Sequence, residues 1–218
     1  MIGGALPKKT DDRGDKDRSE IYVMSIQVLF SIIIGVSFLD YRTTLVPPAP
    51  NFETFTILAA YSTVLASLVG YSIAIKKQFH RNVRRFVLDV ILLYLYYQLV
   101  YSPQKDFTYF LSVLPWIFGI YIFWQYLEHR EWGNSFRKKF KVSFTIFVIF
   151  LGMWIYEAFF NTDTIIVDNN INSLHYQNVT YVEWIILGGV FVLVLGFRYL
   201  LSLITRHRAK PNTADKLS

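Results

Sequence analysis

The chain alternates between long apolar runs and short polar ones. The first run, Ile21 to Leu39, is nineteen residues without a charge. At ~1.5 Å per residue, a helix of that length crosses a hydrocarbon core. With successive residues turned by ~100°, Gln27, Ser31 and Gly35 fall on one side of this helix, and Ser25, Ile32, Val36 and Leu39 on the adjoining side. Ser31 and Gly35 form a small-xxx-small pair that admits a close neighbouring backbone. Lipid offers the Gln27 amide no partner, so the amide is expected to face protein or water.

Five further runs follow. The second spans about Phe55 to Ile75 and carries Thr63, Ser67, Gly70 and Ala74 at helical spacing, a small-residue seam expected to seat against Ser31 and Gly35. The others run about Phe86–Tyr101, Tyr109–Leu127, Val142–Phe160 and Val182–Ile204, and Pro115 predicts a kink in the fourth. The fold class is therefore all-α, a polytopic membrane protein of six transmembrane helices. Residues 1–20 form a solvated, disordered tail, residues 21–204 the membrane domain, and residues 205–218 a basic tail.

Composition agrees with that outline. Charged residues make up 17% of the chain, against roughly 25% in average globular proteins. With six spans, both tails and the second and fourth loops share one side, and that side carries nineteen of the twenty-two Lys and Arg residues. The opposite side has only Arg42 and Lys105, and Arg198 lies in the sixth run, near enough to its end to snorkel. The positive-inside rule then places the chain in the cell membrane with both termini cytoplasmic. It also accounts for the net charge of +6 without nucleic acid as a partner. There is no cysteine, which excludes disulfides and thiol chemistry.

Candidate chemistry is sparse. His80, His129, His175 and His207 all fall in loops or tails, and no HExxH, GxSxG or Gly-rich phosphate loop stands in the sequence. No enzyme activity, metal or cofactor is expected. Asp89 has Arg85 four residues before it, an interfacial ion pair. Glu157 reads as a helix-packing hydrogen bond. Asn178-Val179-Thr180 fits a glycosylation acceptor but lies almost at the start of the sixth run, so it is treated as chance. The shortage of charge at mid-span argues against a pump or proton-coupled carrier.

An uncharged path needs less. Branched apolar side chains on one helix per subunit can form a neck that gates by dewetting, and Ser25, Ile32, Val36 and Leu39 make such a stripe. Periodicity alone equally fits an apolar face packed on its neighbours. The segment Leu29-Phe30-Ser31-Ile32-Ile33-Ile34-Gly35-Val36-Ser37-Phe38-Leu39 resembles the first helix of the endolysosomal potassium channel family and its bacterial and archaeal six-helix relatives, and Arg85-Phe86-Val87-Leu88-Asp89 bears a loose likeness to the start of their third helix. The family lacks a carbonyl selectivity filter, and its first helix lines the pore. The resemblance implies that Ile32 is the constriction isoleucine and Leu39 a second apolar ring. It also implies a homo-oligomer (prokaryotic members are tetramers of single chains) conducting monovalent cations across the lipid bilayer. The family's Phe-Ser-Asp is Ser25-Ile26-Gln27 here, and its threonine one turn past the isoleucine is Gly35. The alternative is a non-conducting membrane sensor or scaffold whose basic loops dock a cytoplasmic partner.

Overall fold

The computed structural model describes residues 12–46, 50–77, 83–132, 136–160 and 179–206. Every regular element among them is helical. In chain order they are α1 (Asp12–Asp40), the single turn α2 (Arg42–Leu45), α3 (Phe52–Lys77), α4 (Val83–Tyr101), a 3₁₀ turn (Ser102–Gln104), α5 (Phe107–Trp132), α6 (Phe136–Phe160) and α7 (Tyr181–Arg206). Six of them are long and apolar enough to cross a membrane. Residues 207–218 of the basic tail and residues 1–11 lie outside the described residues.

Local chemistry sets the helix starts. Asn51 accepts a 2.8 Å hydrogen bond from the Thr54 amide, and Asp106 accepts one from the Tyr109 amide, so each caps the helix that follows. Thr180 and Glu183 form a reciprocal capping box at α7: the Thr180 amide donates to Glu183 Oε2 at 2.6 Å, and the Glu183 amide donates to Thr180 Oγ1 at 3.4 Å. The threonine of the glycosylation-like triplet is thus used as a helix cap. Residues 12–20, expected as a solvated tail, instead continue α1. Helix α5 runs unbroken through Pro115.

Consecutive spans alternate in direction. Phe52 meets Trp184 at 5.2 Å at the starts of α3 and α7, and Phe118 meets Phe197 at 5.1 Å further along α5 and α7. Tyr22 stacks on Phe86 at 4.8 Å at the starts of α1 and α4, and Tyr41 near the end of α1 donates to the Val100 carbonyl at 2.8 Å. Thus α3, α5 and α7 run one way, and α1, α4 and α6 the other. Arg84, Arg85, Arg130, Arg137, Lys139 and Lys141 consequently gather at one end, called here the basic end.

Burial and hydropathy vary inversely between spans. The α1 span Glu20–Asp40 is the most apolar (mean hydropathy 2.2) and only 17% buried, whereas the α3 span Phe52–Ser72 has mean hydropathy 1.5 and is 50% buried. That ordering fits a bilayer as solvent: spans with polar groups sit inside, and the greasiest face outward. The core is carried by α3, α4, α5 and α7, with Ile57, Tyr96, Leu99, Phe110, Leu114, Ile117 and Leu187 closed off. Lipid tails are as apolar as these side chains, so close packing and interhelical hydrogen bonds hold the bundle together.

Candidate functional site

The expected pore stripe lies on the outer surface of the chain. Ile32, Val36 and Leu39 are 51%, 49% and 68% exposed among the described residues. Ser25, also exposed, turns its hydroxyl back to the Ile21 carbonyl at 2.9 Å. These four residues lie at the middle of the exposed arc of α1. Beside them runs an open groove of about 450 Å³ lined by Met24, Gln27, Val28, Ser31 and Ile32. The half-buried Gln27 amide opens onto it, without a hydrogen-bonding partner among the described residues.

The inward face of α1 differs from the one expected. Ser31 is exposed and bonds its own Gln27 carbonyl at 3.0 Å, and a side chain added at Gly35 would meet nothing within 4 Å. Neither residue seats against α3 within the chain. Ile26, Phe30, Ser37 and Tyr41 face inward instead. Phe30 packs against Tyr71 and Tyr96, and Ser37 shares a 2.9 Å hydrogen bond with Tyr61. Aromatic bulk and a buried hydroxyl pair chose the contact, and the small residues were left outside.

The small seam of α3 meets α7 and α4. Thr63 is buried and donates to the Ala59 carbonyl at 2.8 Å. Ser67 is buried as a hydrogen-bonding neighbour of Tyr96. Gly70 lies directly under the Arg198 guanidinium, which occupies the space a side chain there would need. Arg198 reaches across to α5. Its Nη2 donates to the Tyr121 hydroxyl at 2.5 Å, and its guanidinium carbon stands 5.3 Å from the Tyr121 ring and 5.8 Å from the Phe197 ring. Tyr96 in turn donates to Tyr121 at 3.2 Å. A hydroxyl chain from α3 through α4 and α5 therefore ends on the α7 arginine. The signal in the sequence was an arginine inside an apolar run, facing a glycine and two tyrosines that only the fold brings together.

A second polar cluster occupies the basic end of α4, α5 and α6. Arg85 is fully buried beneath the Trp124 ring at 5.2 Å, and Asp89, also buried, accepts from the Tyr71 hydroxyl at 3.3 Å. The pair expected at an interface is inside the bundle. Gln125 Nε2 donates to Ser143 at 2.7 Å, and Lys139 Nζ donates to Glu128 at 2.7 Å. Glu157 is 1% exposed near the far end of α6. Of the histidines, His129 is exposed in the last turns of α5, and the other three lie outside the described residues. Among the described residues no three metal-ligating side chains come together. No family model, curated protein or solved structure matches this chain.

Proposed function

We propose that the chain is one subunit of an oligomeric cation channel in the cell membrane, with α1 lining the passage and both termini cytoplasmic. The observation that carries the reading is the Gln27 amide. It lies within an apolar span, has no partner among the described residues and opens onto a groove beside a branched stripe. Hydrocarbon satisfies no amide, so this side of α1 meets water or another copy. The central stripe then faces the axis, where Ile32 and Leu39 form dewetting rings. Gly35 and Ser31 offer the flank on which a neighbouring helix closes. The span Glu20–Asp40 begins and ends in exposed carboxylates with no base between them, which favours cations at both mouths. The resemblance of the first helix to the endolysosomal potassium channel family points the same way.

The test is potassium flux in proteoliposomes. Wild-type protein conducts, and Ile32→Asn, which wets the narrow ring, raises the flux or relaxes its selectivity. Absence of flux from folded, oligomeric wild-type protein would overturn the reading and leave the basic-loop scaffold in its place.

A further inference from the structure

We infer that Arg198 is the centre of a phosphate-binding site for an anionic lipid, set in the crevice between α3 and α7. The inference is independent of conduction. Arg198 is partly exposed, and one acceptor among the described residues, the Tyr121 hydroxyl, takes one of its donors. Its other described partners are the faces of Tyr121 and Phe197, and among the described residues no carboxylate bonds to it. A guanidinium carries more donors than that, arranged as a fork that matches two phosphate oxygens. An arginine in an apolar span that lacks an acid to neutralise it calls for an anion from elsewhere.

The surroundings select a lipid as the source. Arg198 stands at the edge of α7 between buried Val194 and Phe197 and exposed Leu195 and Tyr199. Gly70 holds the matching edge of α3, next to exposed Val69. Exposed apolar side chains thus flank the place where the two helices meet, on a surface that a bilayer would cover. Gly70 keeps the α3 side open, because a methyl there would displace the guanidinium. Both residues lie two positions inside the ends of their apolar spans, Phe52–Ser72 and Tyr181–Leu200. Basic pockets between helices at such an end recognise phospholipid headgroups.

The experiment measures lipid binding to full-length protein by native mass spectrometry and by thermal stability in detergent. The probes are phosphatidylglycerol, phosphatidylcholine and inorganic phosphate. Wild-type protein is expected to retain phosphatidylglycerol over phosphatidylcholine and to be stabilised by it. Arg198→Gln loses about tenfold in that preference, the loss of one charge-assisted pair. Arg198→Lys, which keeps the charge and the fold but not the fork, loses part of it. Stabilisation by inorganic phosphate equal to that by the lipid would replace the lipid with a free anion. A wild-type protein without lipid preference would overturn the site without needing any variant. So would a preference unchanged in Arg198→Lys and Arg198→Gln, which would move it to the basic loops.

Discussion

Gly70 and Arg198 share one space: the guanidinium lies where a side chain at position 70 would begin. Gly70→Ala therefore either pushes α3 from α7 or drives the arginine off Tyr121. Overpacking of this kind costs about 1–3 kcal/mol, to be read from chemical or thermal unfolding in detergent. The double variant Gly70→Ala/Arg198→Ala should be less destabilised than the two single losses added together. Simple additivity would mean that the two residues do not meet.

The attachment of α1 rests unequally on two tyrosines. Tyr61 and Ser37 are both buried, whereas Asp40, which accepts from Tyr101 at 2.9 Å, is exposed. Tyr61→Phe should cost about 1–2 kcal/mol because Ser37 loses a buried partner. Tyr101→Phe should cost less, since water replaces the lost donor. The same unfolding measurement ranks them, and the reverse order would show that α1 is held from its exposed end.

Glu128 and Lys139 close the hairpin of α5 and α6 at 2.7 Å, with side chains only 10% and 16% exposed. Removal of either partner leaves a poorly solvated charge, so Lys139→Met should destabilise by about 2 kcal/mol. Glu128→Gln/Lys139→Met should recover part of that loss. A double-mutant cycle with no coupling would demote the pair to a surface contact.

The capping box at α7 gives a local prediction. Thr180→Ala should cost about 1 kcal/mol and speed hydrogen exchange at the amides of Val182 and Glu183, leaving the rest of α7 unchanged. Unaltered exchange there would mean that Thr180 does not hold the helix start.

The absence of native cysteine makes the environment of α1 directly measurable. Ile32→Cys and Val192→Cys place one thiol each on exposed faces of α1 and α7. If α1 lines a passage, a charged, membrane-impermeant thiol reagent should modify position 32 in proteoliposomes but not position 192. If both stay unreactive, α1 presents Ile32 to hydrocarbon and the channel reading fails.

The six spans were legible because each is a run of apolar residues whose length a bilayer dictates, and that requirement involves no other part of the chain. The gathering of Arg and Lys at one end follows in the same way from which loops share a side. The facing of each helix was not legible. Ser31 and Gly35 suggested a close contact with α3, but Phe30 and Ile26, a short rotation away, filled that contact with greater bulk. Arg198 could be seen in its apolar run, yet Tyr96 and Tyr121 come to it from helices far off in sequence. Spacing within one helix shows which residues share a side, but not which side wins the interior when several are apolar.

The unequal wetting and greasing of the spans also bears on how the molecule is made. Since α1 is the most apolar segment and leans least on its siblings, it can enter the bilayer and rest there while the ribosome is still completing the chain. The arginine-bearing last helix has the opposite dependence, because its charge finds shelter only once the glycine and tyrosine partners are already in place. Among these six spans, insertion therefore runs from a self-reliant segment to a reliant one.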